Sequence, residues 1–499
     1  AFVGWALLFI GWFDDYYAGQ KATLATTVVL AFWATFVVGE LIATGYGHAR
    51  SAAQYVLSSI NAAVGFLGLF LVLREAYRYP LAVIILVAGA IYAVAGVILA
   101  RRREQDRQFI DQYILHAIAF LVAATAITFS EYQQVVVLAG EAVILSWIAA
   151  RWNNSAVRFG TLALLVVTLL RFLCIPTMDR FEPIESFILL INDRALALIS
   201  LTAALVWGSR RLNVGEEKHG QAITQSLTAA WCLTTFLLIT FETLDYFRHL
   251  AAIKGTLLVA TSPTLTTNLT LSLCWTFLSV LLLGLGVRSR TQVIIVAGFL
   301  AMEFGLVWIL LTGGSYSPPE RFVLFFNYRA VAIVAVGFAL WWADRLLAQV
   351  RDLGNPFDNL GTAARVGLLA LGLYFFTVEV WDIFDRSFEI ERLTRMGTTE
   401  TLESLRNMQQ LSLSAVWLFY SGVMIVLGIW RRLRALRLGA IVVFGITILK
   451  IFLWDLSFLS GLYRIFSFLG LGVILLAVSF AYQRYKSLIF GTDTAGQST

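Results

Sequence analysis

The chain has 499 residues, 59% of them hydrophobic and 14% charged, with a formal net charge of +6 and a mean hydropathy of +0.79. So few charges exclude a water-soluble globular protein and give an all-α polytopic membrane protein. The basic excess is scattered over short loops, so no nucleic-acid partner is expected.

A span needs about 20 apolar residues to cross a hydrocarbon core of about 30 Å. Apolar runs of that length are predicted near 22–44, 52–73, 80–101, 110–130, 133–151 and 156–176. They continue near 190–211, 222–246, 266–287, 290–312, 325–349, 361–385, 408–430, 434–456 and 462–483. With a further run at 1–13 the reading is about sixteen transmembrane helices. That first run begins abruptly at Ala1 without a basic flank, as a chain entering mid-span would, and it does not have the form of a cleavable signal peptide.

Lys and Arg sort the loops into two faces. One carries Arg101-Arg102-Arg103, Arg151 and Arg158, Arg210-Arg211, Arg288 and Arg290, and Arg431 to Arg434, followed by Arg484 and Lys486. The positive-inside rule makes this face and the C-terminus cytoplasmic. The opposite face holds Pro80, Pro176, Pro183, Pro263, Pro318 and Pro319 and the longest connections, near 177–189, 247–265 and 386–407. Within the last, Thr399, Glu400, Leu402 and Leu405 suit a short amphipathic helix on the membrane surface. Cys174, Cys232 and Cys274 all lie within spans and read as free thiols. His48, His116, His219 and His249 lack ligand spacing, so neither a metal nor a cofactor is expected.

Four arginines, Arg78, Arg194, Arg329 and Arg464, each open an apolar run, the last three at intervals of 135 residues. Acids recur at the end of the following run. Glu242 and Asp245 match Glu379 and Asp382 at an interval of 137, and Glu131 and Asp14-Asp15 hold similar places earlier. The pattern predicts tandem, same-orientation four-helix repeats: the end of a preceding repeat at 1–21, then 22–132, 133–265, 266–407 and an incomplete copy with a cytoplasmic tail at 408–499. Both charge sets then lie on the extracytoplasmic side.

The final segment is the most distinctive. Leu449-Lys450-Ile451-Phe452-Leu453-Trp454-Asp455, Gly461-Leu462-Tyr463-Arg464 and Tyr482-Gln483-Arg484, with Ser412 to Trp417 and Gly140-Glu141-Ala142 upstream, resemble the bacterial predicted-membrane-protein family called domain of unknown function 2339. The resemblance implies a multi-pass protein of the bacterial inner membrane and a longer N-terminal region. It implies no activity.

The arginines admit three readings: anchors that snorkel to lipid phosphate, a polar cluster holding an anionic ligand, or inter-helix ion pairs. Lys450 sits in an apolar run five residues before Asp455, a poor spacing for α-helical pairing, so it is expected to reach an acid on another helix. Glu141 and Glu303 are mid-span charges for which structural pairing is expected ahead of proton relay, whereas Glu40, near a span end, needs no special account. The candidate binding set is Arg78, Arg194, Arg329, Arg464, Lys450, Asp455, Glu242, Asp245, Glu379 and Asp382.

The leading reading is a non-catalytic envelope scaffold or carrier that binds membrane lipid, an envelope glycan or another membrane protein at its charged extracytoplasmic rim. Two alternatives stay open. A lipid-linked glycosyl- or group-transferase would use Asp14 or Asp15 as general base or metal ligand. An ion- or proton-coupled transporter would need a cavity around Lys450 or the mid-span acids.

Overall fold

The protein is described from a computed structural model covering residues 11–13, 21–45, 52–74, 77–102, 107–152, 154–175, 184–212, 218–254, 263–315, 323–353, 355–394, 399–431 and 433–455, with isolated positions elsewhere. Within these residues all regular structure is helical. The chain divides into two compact units, 1–238 and 239–499. Thirteen of the described helices are long and apolar enough to cross a membrane.

Unit one contains α1 (Ala22–Gly45), α2 (Ala52–Leu73), α3 (Arg78–Arg102), α4 (Arg107–Thr128), α5 (Glu131–Trp152), α6 (Ser155–Leu173) and α7 (Asp193–Arg211). The helix α8 (Lys218–Lys254) carries the border between the units. Of the sixteen expected runs, 1–13 and 462–483 fall mostly outside the described residues. The run at 190–211 forms α7, but Asp193, Arg194, Arg210 and Arg211 keep it out of the thirteen.

In unit one, α1 pairs with α2, α3 with α4, and α5 with both α6 and α7. Its core centres on Trp33, Tyr92, Phe109, Tyr113 and Phe120. The Trp33 indole N–H donates to the Tyr92 hydroxyl at 3.0 Å, which satisfies both groups where water is absent.

Unit two contains α9 (Pro263–Ser289), α10 (Gln292–Thr312), α11 (Tyr328–Leu347), α12 (Asn355–Thr394), α13 (Thr399–Trp430) and α14 (Arg434–Lys450), followed by a π-helical turn over Ile451–Asp455. Its chief pairings are α9 with α10, α9 with α11, α11 with α12, α12 with α13 and α13 with α14. The α9–α10 hairpin is held close by Gly298 and Gly305. A Cβ at Gly298 would lie 2.8 Å from the backbone nitrogen of Leu283, and one at Gly305 would lie 2.9 Å from Thr276 Oγ1. Small residues at such crossings let helices gain van der Waals contact where lipid is as apolar as the side chains.

The helices are apolar on their outer faces too. On α11, Ala332, Val336 and Leu340 are buried, while Val331, Val334 and Phe338 are each about 60% exposed. Water would penalise that face, whereas acyl chains do not. Span hydroxyls turn back on their own helix, as Thr161 does to Val157 O and Thr447 to Val443 O.

Three helices are longer than the sequence reading expected. α8 continues to Lys254, α12 runs to Thr394 and α13 already begins at Thr399, so much of the expected loops at 247–265 and 386–407 is helix. The expected short surface helix near 398–408 is instead the first turns of α13. Neither glycine nor proline interrupts 373–396, and Arg386 and Glu389 stand three residues apart, so nothing stops the helix where its apolar run ends.

Candidate functional site

Among the described residues of unit two, buried charges gather around Arg329 and around Lys450. The first lies at the start of α11. Asn327 caps the helix, its side-chain oxygen accepting from the Ala330 N–H at 2.7 Å. Arg329 therefore enters at the second helical residue, where the helix dipole is positive and a cation is disfavoured. It is 1% exposed. Acids on α12 answer both effects. The guanidinium forks onto Asp382, with Nη1 donating to Oδ1 at 3.3 Å and Nη2 donating to Oδ2. Nη1 also donates to Gly313 O at the end of α10, and Nη2 lies 3.5 Å from Glu379.

Glu379 holds the approach to α11 as well. It accepts from the Phe325 N–H at 2.8 Å and from Asn327 Nδ2 at 2.9 Å. Phe325 has φ of 64°, a left-handed conformation that costs a non-glycine residue about 1–3 kcal/mol. The carboxylate thus fixes a strained turn, caps the cap residue and helps to neutralise the arginine.

The same local geometry precedes α7 in unit one. Leu190 has φ of 62°, Asn192 caps the helix by accepting from Ala195 N at 2.8 Å, and Arg194 is 1% exposed. The turns Ile191 N to Ile188 O and Phe326 N to Val323 O also correspond, 135 residues apart. On the acid side, Trp275 Nε1 donates to Thr240 and Trp417 Nε1 donates to Thr377, at 2.8 and 2.9 Å. Each threonine stands two residues before a buried acid, Glu242 or Glu379, and a second buried acid follows, Asp245 or Asp382. Asp245 pairs with Arg248 at 3.0 Å. The Thr-x-Glu-x-x-Asp spacing in the sequence could have pointed to these threonines.

Arg78 differs. It is exposed, and its guanidinium donates to Ile127 O and Phe129 O at the end of α4, where helix carbonyls lack partners of their own. Neither of the two residues before it is an asparagine, so it lacks the caps seen before Arg194 and Arg329. Arg464, Asp14 and Asp15 lie outside the described residues.

The second place is the end of α14. Contrary to the expectation of a partner on another helix, Lys450 pairs with Asp455 at 2.8 Å. The intervening π-helical turn places residues five apart on one face, which an α-helix does not. Nζ also donates to Ser414 Oγ at 2.7 Å and to Gln410 O at 3.0 Å, both on α13. Ser414 in turn donates to Asp455 Oδ2. The ammonium's three protons all have acceptors, and the pair forms an electroneutral clasp between α13 and α14. Trp417 to Thr377 and Tyr420 to Leu369 O set the antiparallel register of α12 and α13, so Ser414 lies at about the depth of Glu379.

Two further carboxylates stand within spans of unit one. Glu141 accepts from the Thr125 hydroxyl. Glu40, which the sequence reading left without an account, accepts from Ser58 Oγ at 3.0 Å and from the Tyr113 hydroxyl at 2.8 Å. Among the described residues no group of three or more His, Cys, Asp and Glu is placed to hold a metal ion.

No curated protein and no solved structure matches the chain. A family model does match, over residues 1–485, and its extent covers both units and both charge clusters. The chain belongs to the family described as predicted membrane protein, DUF2339.

Proposed function

We propose that this chain is a non-catalytic scaffold of the bacterial inner membrane that binds a lipid, an envelope glycan or a partner membrane protein on a charged extracytoplasmic rim. The observation that carries this reading is the length of the α12–α13 hairpin. Forty residues of α12 rise about 60 Å against a hydrocarbon core of about 30 Å. The surplus turns bear Asp385, Arg386, Glu389 and Glu391 on α12 and Glu403 and Arg406 on α13, with Ile390 and Met408 exposed among them. Arg431 and Arg434 stand at the opposite end of α13, the end the positive-inside rule places in the cytoplasm.

The buried charges support a framing role. Arg329, Glu379 and Asp382 bind one another and the turn before α11, and Lys450 and Asp455 clasp α13 to α14. Such groups set where the rim stands, and the exposed hairpin and Arg78 are left to meet a ligand. The recurrence of the α7 and α11 entries supports a chain assembled from same-orientation repeats, with buried charges again at Arg194 in unit one and at Glu242 and Asp245 in unit two.

A photo-crosslinking residue at Glu389 or Glu403 is expected to give one discrete adduct in intact cells. The same residue at Phe338, on the lipid-facing side of α11, should capture bulk lipid only. Indistinguishable lipid adducts at all three positions would sink the scaffold reading.

A further inference from the structure

Glu303 is the one charged residue of α10, a helix of 21 residues. Eleven residues precede it and nine follow, so it lies about 13–17 Å from either end, at mid-depth of the membrane. The sequence reading expects a structural partner for it. Among the described residues it makes no hydrogen bond and no ion pair, and its Oε1 is buried. Other charges within spans are answered: Thr125 donates to Glu141, and Lys450 and Asp455 hold each other. A carboxyl left alone at that depth is costly, and a buried polar atom without a partner calls for one.

The neighbours of Glu303 along the helix say what kind of partner fits. α10 meets α9 through Gly298 and Gly305, and Leu306 packs against Gly367 of α12, where a Cβ would lie 2.8 Å from it. The stripe that contains Glu303 lies opposite the two glycines. Val296, Leu300, Glu303, Val307 and Leu311 follow one another at steps of three or four residues, which keeps them in one line along the helix. The four aliphatic members are 42–73% exposed, and Glu303 is partly exposed among them. Such a line is the seam by which one helix packs along another, each side chain seated between four of the partner's. A charge in the middle of the seam selects the partner. Acyl chains offer it nothing, whereas a cation at the same depth neutralises it.

We propose that this stripe seats a transmembrane helix of another protein that carries one lysine or arginine midway along its length, paired with Glu303. A lipid headgroup cannot serve, because it stays at the bilayer surface about 15 Å away. A second copy of this chain does not fit either. Two copies of the stripe packed in the same orientation set Glu303 against Glu303, and Lys450 is spent on Asp455, Ser414 and Gln410. The contact lies within the membrane and is independent of the extracytoplasmic rim, so either can fail alone.

The full chain, with a photo-crosslinking residue at Val307, would be reconstituted in phosphatidylcholine vesicles with a host transmembrane peptide of leucine and alanine. One peptide carries a single central lysine and the other a leucine in its place. A central residue sits at mid-depth whichever way the peptide inserts. The lysine peptide should crosslink about tenfold more than the leucine peptide. Glu303→Gln, which keeps the shape and removes the charge, should abolish that difference. Glu303→Lys should transfer it to a peptide with a central glutamate. A probe at Val334, on the lipid-facing side of α11, should show no preference. The two peptides compared on the chain with Glu303 intact decide the matter even where a variant fails to fold. Equal crosslinking of both peptides there, a preference that survives Glu303→Gln, an equal preference at Val334, or adducts joining two copies of the chain in place of the peptide would each overturn the proposal.

Discussion

At the residue scale, the decisive quantity is the cost of leaving a buried charge alone. Arg329 and Asp382 are 1% and 2% exposed, so each depends on the other. Removing one partner of such a pair costs about 3–5 kcal/mol, whereas replacing both by apolar groups of similar volume is often neutral. Asp382→Asn should therefore destabilise the protein by an amount in that range. Arg329→Met combined with Asp382→Leu should recover much of the loss. Thermal unfolding of the detergent-solubilised variants would check this, and a double variant no better than Asp382→Asn would refute it. Both members stood out in the sequence because they recur at fixed intervals with their neighbours, but an ion pair was only one of three readings left open for the arginines. Lys450 with Asp455 was legible as two costly charges but not as a pair, since helical reasoning allows contacts at three and four residues and not at five. The π-helical turn that closes the gap leaves no mark in composition. Glu40 was passed over because its partners, Ser58 and Tyr113, lie on other helices, and a hydropathy reading does not say which helices meet.

At the element scale, the turn before α11 shows how one carboxylate governs a helix start. Glu379 binds the strained Phe325 N–H and the cap residue Asn327, and the cap binds Ala330. Asn327→Asp separates these tasks. An aspartate caps as well as an asparagine and adds a negative charge that suits the helix dipole. It also loses the donor to Glu379 and sets two carboxylates together. The second effect should prevail in a buried site, with a loss of about 1–3 kcal/mol. A melting temperature equal to or above that of wild type would show that the cap alone matters. The long helices escaped the sequence reading for a related reason. Their apolar runs end where the membrane ends, and hydropathy then reads the charged turns as loop. Alternating acids and bases without glycine or proline nevertheless continue a helix into water.

At the scale of the whole molecule, the rim reading turns on orientation. The α12–α13 hairpin and the Arg290 turn lie at opposite ends of unit-two helices, since α13 leads from the hairpin to Arg431, and Arg290 lies on the arginine-bearing face read from the sequence. The charge bias of the loops is the force that chooses which end faces out. In a background with Cys174, Cys232 and Cys274 replaced by alanine, a cysteine at Glu389 should react with an impermeant maleimide in intact cells. A cysteine at Arg290, whose side chain is 63% exposed, should react only after the membrane is opened. The reverse pattern would place the hairpin in the cytoplasm and remove the extracytoplasmic rim.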